Sequence, residues 1–303
     1  MAAGFAGGEM QRKKGDVVNG DVEQTGKVVS KHAMTELTRE LEVALDAAGA
    51  AGRYLRDSMD DVRIETFKEG TYNYATIQDV QAERIIVGAI RRHFRDDAIL
   101  SEESFPDAAS AERLWIVDPL DGTRNYANGL PYFSVSIAFC RNNVPQAGVV
   151  YAPCLNDELF HAVRGHGAFL NGAPLLMANP DATLAASIVG TGFAYRRGAA
   201  LKKEIAQYER ALNQAADVAR YGSAALDMCY VAAGRLAAYY EAGLKPWDVA
   251  AASLIVEEAA GICSDHAGDK LDVLRKADGQ FAVNLLCSKN QDIAHTMVRI
   301  LRA

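Results

Sequence analysis

From Thr35 onward the apolar residues settle into a helical rhythm. Leu37, Leu41, Leu45, Ala48, Gly52 and Leu55 return every three or four residues, which predicts a long amphipathic helix. A second helix is predicted from Asp79 to Phe94, with Ile85, Ile86, Ala89 and Ile90 on its apolar face. Short apolar runs follow: Ala98 to Ser101, Leu114 to Val117, Ser134 to Phe139, Ala147 to Tyr151 and Leu159 to Val163. They read as strands, and Asn142-Asn143 and Asn171-Gly172 as hairpin turns. This half is expected to pack helices on a largely antiparallel sheet.

After Pro180 strands and helices alternate. The expected series is strand Ser187–Val189, helix 200–216, strand Val218–Tyr221, helix 224–234, strand Ala237–Tyr240, helix 248–260, strand Phe281–Cys287 and helix 290–302. Alternation of this kind indicates an α/β layered half. A boundary near residues 178–183 would separate an N-terminal α+β domain, 33–180, from a C-terminal α/β domain, 181–303. Residues 1–32 are polar and glycine-rich without apolar periodicity, and are expected to be a disordered extension. No internal repeat is visible.

Composition narrows the function. Half of the 303 residues are apolar and 23% are charged, as in an ordinary globular protein. The net charge of −7 disfavours nucleic acid as a partner, because the one basic cluster, Arg12, Lys13 and Lys14, is short and lies in the polar tail. Cys140, Cys154, Cys229, Cys263 and Cys287 form no Cys-x-x-Cys pair, which favours reduced thiols over a disulfide framework or a zinc site. The histidines lack metal-ligand spacing, and His161 and His166 are expected on the surface of a hairpin. No apolar run approaches the ~20 residues needed to cross a bilayer, and the N-terminus lacks a signal-type apolar core. A soluble, cytoplasmic protein is expected, with no membrane partner.

The candidate chemistry centres on residues 115–126, Trp-Ile-Val-Asp-Pro-Leu-Asp-Gly-Thr-Arg-Asn-Tyr. A buried strand would end on Asp118, turn through Pro119, present Asp121 and enter a helix at Gly122 and Thr123. Carboxylates at a strand end supply hard oxygen ligands, and N–H groups at a helix start supply an anion site. Taken alone, Asp-x-x-Asp-Gly is equally a plain turn. Three further places bear on the choice. Glu102 and Glu103 follow the strand Ile99–Ser101, Asp248 stands at the expected N-cap of a small-residue helix, and Thr76 and Asp79 flank the start of the second helix. Each could be a solvated charge or a cap. Brought together, like charges at ~4 Å repel by roughly 4 kcal/mol per pair, so such a cluster needs bound cations or raised pKa values. All-oxygen ligands favour magnesium, manganese or calcium over zinc.

The stretch Asp118-Pro-Leu-Asp-Gly-Thr-Arg-Asn-Tyr126 resembles the first signature of the inositol monophosphatase family, and Trp247 to Gly261 resembles its second. Leu100-Ser-Glu-Glu-Ser104 is similar to its Gly-Glu-Glu segment, and Asn73 to Asp79 to its Val-Thr-x-x-Asp stretch; order and spacing also match over about residues 35–300. The resemblance implies a layered αβαβα sandwich, of mixed α+β and α/β character, as in inositol monophosphatase and fructose-1,6-bisphosphatase. It implies two or three Mg2+ ions: Glu102, Asp118 and the Leu120 carbonyl on the first, Asp118, Asp121 and Asp248 on the second. Asp79, near Thr76, would shape the water network and a weaker third site. Thr123, paired with Glu102, would orient the attacking water. The N–H groups of Gly122 and Thr123 would hold phosphate beside Asp121, and Gly222, Ser223, Ala224 and Glu241 would contact the polyol. A homodimer and lithium inhibition are also implied. Ser101, Asn73 and Ala260 depart from the family's usual Gly, Asp and Gly, and none removes a proposed ligand.

The expected activity is Mg2+-dependent hydrolysis of inositol monophosphate or a related sugar phosphate by direct attack of water. The aspartates of the motif are three apart, which disfavours the Asp-x-Asp phosphatases that use an Asp nucleophile. Fructose 1,6-bisphosphate, histidinol phosphate, a nucleotide bisphosphate or NADP are the alternative substrates, for which Arg124, Arg196 and Arg197 are candidate basic groups. A regulatory or interaction protein that retains a phosphatase site is the alternative of another class.

Overall fold

The protein is described from a computed structural model that covers residues 31–69, 73–104, 111–176, 182–193 and 198–303, with the backbone alone over 31–38, 68–69 and at 73. The basic cluster at 12–14, the expected boundary residues 178–181 and the candidates Arg196 and Arg197 lie outside the described residues.

The first half runs α1 (Lys31–Asp57), β1 (Ile64–Glu69), β2 (Asn73–Thr76), α2 (Ile77–His93), β3 (Ala98–Ser101), β4 (Arg113–Asp121), α3 (Thr123–Ala127), β5 (Ser134–Arg141), β6 (Val144–Ala152), β7 (Glu158–Val163), β8 (Ala168–Leu170) and β9 (Ala173–Pro174). β1 and β2 form a separate antiparallel hairpin. The others make a seven-stranded sheet in simple order from β3 to β9, antiparallel except for the β3–β4 pair. Asn142 and Asn143, and Asn171 and Gly172, adopt positive φ, as tight hairpin turns between right-twisted strands require. His161 corrects its surface assignment: it is half-buried in β7, its ring stacked 5.1 Å from Phe169 on β8. His166 is exposed.

The second half runs β10 (Ile188–Thr191), α4 (Ala199–Leu212), β11 (Asp217–Ala219), α5 (Ala224–Ala232), β12 (Ala238–Leu244), α6 (Pro246–Glu258), β13 (Ile262–Asp265), β14 (Lys276–Ala277), β15 (Gln280–Phe281), β16 (Val283–Ser288) and α7 (Gln291–Arg302). Five of its strands form a mixed sheet ordered β11-β10-β12-β16-β13. The expected strand 281–287 is broken at Ala282, and the expected helix 200–216 stops at Leu212.

Alternation along the strands builds five layers. On β4, Trp115 and Val117 face α1 and α2, while Leu114 and Ile116 face α5 and α6. On the second sheet, Tyr239, Leu285 and Cys287 pack against α5 and α6, and Ala238, Tyr240 and Leu286 against α4 and α7. The order is therefore helices, sheet, helices, sheet, helices, the expected αβαβα sandwich. The middle helix α6 is buried on almost every side, so its sequence is apolar all round rather than striped. Its alanines let it come close: a Cβ built on Gly148 of β6 would stand 2.7 Å from the Ala251 carbonyl. The five cysteines are unbridged, and Cys140, Cys229 and Cys287 are buried. Among the described residues no helix is long and apolar enough to cross a membrane.

Candidate active site

β4 does not stop at Asp118. It continues through Pro119 to Asp121, and its pairing with β5 slips: Asp118 opposes Ser136 and Asp121 opposes Ser134, three residues against two. One extra residue is a β-bulge, where a proline's missing N–H is tolerated. In a regular strand residues three apart point to opposite faces. The bulge cancels that alternation and turns both carboxylates toward α5 and α6. Gly122 then takes φ 100°, and a Cβ there would lie 3.2 to 3.3 Å from the backbone of Tyr132, Phe133 and Gly222. The position admits glycine for both reasons.

Two of the three carboxylates, Asp121 and Asp248, are held at the start of a helix, and Asp118 is held within its own strand. Asp121 Oδ2 accepts from Ser223 Oγ at 2.6 Å and from the Ala225 N–H at 2.8 Å, at the N-terminus of α5. Asp118 Oδ1 accepts from the Leu120 N–H at 3.0 Å. Asp248 differs from its expected place. Pro246 opens α6 at its first position, which makes Lys245 the N-cap and puts Asp248 in the first turn, where Oδ2 accepts from the Lys245 N–H at 2.6 Å. One oxygen from each of Asp118, Asp121 and Asp248 lies within 4.8 Å of the others.

The opposite wall comes from α2. Thr76 is its N-cap, and the Thr76 N–H and hydroxyl both donate to Asp79 Oδ2 in a reciprocal capping box. The other oxygen, Asp79 Oδ1, accepts from Thr123 Oγ1 at 2.9 Å; that hydroxyl also lies 3.0 Å from the Leu120 carbonyl. Thr123 was expected to pair with Glu102, and the hydroxyl bond found here goes to Asp79 because α2 enters directly beside the bulge. Glu102 follows β3, whose parallel pairing with β4 brings Ser101 level with Val117, and the Glu102 N–H donates to the Val117 carbonyl at 3.3 Å.

The cluster is electrostatically unfinished. Burial, followed by Glu102, Asp121 and Asp248, holds the Asp118 carboxyl well above its ordinary range; every one of those charges has its own sign. Burial also lifts Asp248, with Asp121 and Glu102 adding to it. Asp121 is pushed up to about 6 by burial against its bonds to Ser223 and Ala225, and Asp79 to about 6 by burial against its bonds to Thr76. Oxygen donors converging at this spacing, with no counter-charge in their own set, fit a hard divalent cation.

The expected polyol contacts lie alongside. Ser223 spends its hydroxyl on Asp121 and lies 3.2 Å from Ser134 Oγ, so its first role here is to orient a carboxylate. Glu241 is half-buried on β12, accepts from the Tyr239 hydroxyl, and is pushed up to about 7 mainly by burial. Two residues were missed by sequence reasoning. Asn125 Nδ2 donates to the carbonyls of Tyr132 and Tyr221, at 2.7 and 2.8 Å, and so ties the Gly122 turn to the Gly222 turn. Glu83 on α2 is 3% exposed and binds the turn that carries Glu102. Asn125 belongs to the motif and could have been marked; Glu83, one turn after Asp79, carried only its helical spacing as a signal.

Comparison with known proteins agrees with this architecture. Residues 36–300 match the inositol monophosphatase family. A protein of Pasteurella multocida named Nus factor SuhB is 41% identical over 232 residues, covering 75% of this chain and 85% of the relative. The crystal structure of the extragenic suppressor protein suhB from Bartonella henselae superposes with a TM-score of 0.76 at 34% identity, over 87% of this chain and 98% of that one. The Thermotoga maritima IMPase gives a TM-score of 0.75 at 32% identity, over 87% and 97%. With the family match over residues 36–300 and the shared layered fold, the chain belongs to the inositol monophosphatase family.

Proposed function

We propose that this chain is a Mg2+-dependent phosphomonoesterase acting on inositol monophosphate or a related polyol phosphate. The observation that carries the reading is the convergence of Asp118, Asp121 and Asp248 within 4.8 Å beside the Gly122–Thr123 turn. Glu102, Asp118 and the Leu120 carbonyl would hold one Mg2+, Asp118, Asp121 and Asp248 a second, and Asp79 would serve a weaker third. Bound there, the ions would supply Lewis-acid polarisation of the phosphate, an acidified water and charge stabilisation for the departing alkoxide.

The chain's own groups do the rest. The Thr123 hydroxyl donates to Asp79, so its oxygen would be left to accept from the attacking water. Glu102 would share that orienting role. The Gly122 and Thr123 N–H groups begin α3, where backbone donors lack intrahelical partners and receive phosphate oxygens. Gly222, Ser223, Ala224 and Glu241 would meet the polyol, with the Glu241 carboxylate accepting from its hydroxyls. Attack is in line and in one step, without a phosphorylated residue. A single turnover in oxygen-18 water tests this: label is expected in the released phosphate, and label first found on an Asp side chain would sink it. A panel of inositol 1-phosphate, glycerol 2-phosphate, fructose 1,6-bisphosphate, histidinol phosphate, adenosine bisphosphate and NADP under Mg2+ ranks the substrates.

The name Nus factor SuhB, borne by the Pasteurella multocida relative, favours a second reading. In it, the chain acts chiefly as an interaction or regulatory protein that keeps a phosphatase site. Turnover on any ester of the panel, dependent on Mg2+, favours the enzyme; a folded chain inert on all six favours the second reading.

A further inference from the structure

α2 carries two buried carboxylates on one face, a turn apart. Asp79 and Glu83 are 1% and 3% exposed, and residues four apart on a helix are neighbours. Asp79 reaches Thr123. Glu83 reaches the end of β3: its Oε2 accepts from Ser101 Oγ at 2.7 Å, from the Glu103 N–H at 3.0 Å and from the Ser104 N–H at 3.2 Å. The three donors bracket Glu102 on both sides. Three donors converging on one oxygen fix the backbone on either side of that residue.

We infer that Glu83, together with Ser101, is a positioning pair that sets the metal affinity of this site by fixing the turn from which Glu102 projects. The inference rests on the metal reading above and goes beyond it, because neither residue is among the ligands. Three observations support it. A buried carboxylate is costly unless its hydrogen bonds are made, and all those named here are to one short turn. The turn has no regular structure of its own beyond Ser101, where β3 ends. The serine also accounts for a departure noted in the sequence: where the family often has glycine, this chain has a hydroxyl that donates to Glu83. α2 thus sets the register of both groups proposed to orient water, Thr123 through Asp79 and Glu102 through Glu83.

The test is Mg2+ binding to the full-length protein by isothermal titration calorimetry, without substrate, for the unmodified chain, Glu83→Ala, Glu83→Gln and Ser101→Ala, with thermal melts run on the same samples. Partners behind a metal ligand are worth about 10- to 100-fold in affinity. Glu83→Ala is expected to raise the Mg2+ Kd about tenfold or more, Glu83→Gln to rescue part of that loss by keeping a carbonyl acceptor, and Ser101→Ala to raise Kd by about threefold, having lost one donor of three. Kcat at saturating Mg2+ should fall less than the affinity does. Should Glu83→Ala fail to fold, the other two variants carry the test. Folded variants that bind Mg2+ with the unmodified Kd, whatever their melting temperature, overturn the inference. An unmodified chain that binds no Mg2+ overturns the metal reading instead.

Discussion

Strand β4 has acids packed at both ends, and their charge is met at one end and left unmet at the other. At its start Arg113 bonds Asp97 at 2.8 Å and Glu40 at 2.9 Å, Trp115 Nε1 donates to Asp97 at 2.9 Å, and the guanidinium lies 4.7 Å from the Phe139 ring centre. Burial would lower the Arg113 pKa, and the bonds to Asp97 and Glu40 outweigh it. At its far end Asp118 is surrounded by Glu102, Asp121 and Asp248, and its carboxyl is raised. Five residues separate Arg113 from Asp118, yet one set carries its own cation and the other calls for one from outside. Charge closed within the chain is architecture, and charge left open beside the Gly122 turn is what marks the candidate site.

Removing a charge should therefore act in opposite directions at the two ends. Asp248→Asn is expected to lower kcat by roughly 10² or more, as the loss of one strong electrostatic stabiliser does, while raising the melting temperature of the metal-free protein. A variant that kept full activity would break the assignment. At the other end Arg113→Met takes away the main cation of Glu40 and Asp97, leaving Arg141 at 3.5 Å from Glu40 and the Trp115 N–H on Asp97; breaking a buried pair costs about 3 kcal/mol at the low end, a fall of roughly 10 °C in melting temperature. Calorimetry showing no loss would make the two ends alike.

The contrast was only half readable from sequence. The rhythm of α1 and α2 and the acidic motif were legible, because apolar spacing and a dense run of chemical residues need no tertiary context. The β4 bulge was not: Pro119 reads as a chain breaker, and only the pairing with β5 shows the strand passing through it. Asp248 was read as an N-cap because Asp prefers that place, but Pro246 starts the helix earlier. β1, β2, β8, β9, β13 and β14 carry no readable signal in the sequence, being short strands without clean alternation. Glu83, Asn125 and the Ser223–Asp121 bond join residues far apart in the chain or lacking any motif, and Glu40's partner Arg113 is of that kind too.

pH should also tell the two ends apart. Asp79 and Asp121 sit at about 6 in the folded chain against an ordinary 3.8, so the folded state binds protons more tightly than the unfolded one. Their contribution to stability is complete below the unfolded value and is lost as pH rises through 6. The melting-temperature gap between Mg2+-saturated and chelated protein is expected to widen from pH 5 to 7.5. A constant gap would mean that these carboxyls do not face the metal.

The smallest effect lies at the end of α6. Ala260 takes φ 64° just past the helix, where the family often has glycine. Ala260→Gly is expected to stabilise by about 1 kcal/mol in both metal states, since an alanine in the left-handed region costs about that much. A gain confined to one metal state would place this turn in the site.

The central claim, that the open end of β4 takes up Mg2+ in order to hydrolyse a phosphomonoester, is tested most directly by phosphate release from inositol 1-phosphate at pH 7.5. The full-length chain is expected to release phosphate with Mg2+, to stop on chelation and to resume when Mg2+ returns. A rate indifferent to chelation, or a folded chain that stays inert with Mg2+ present, would contradict it.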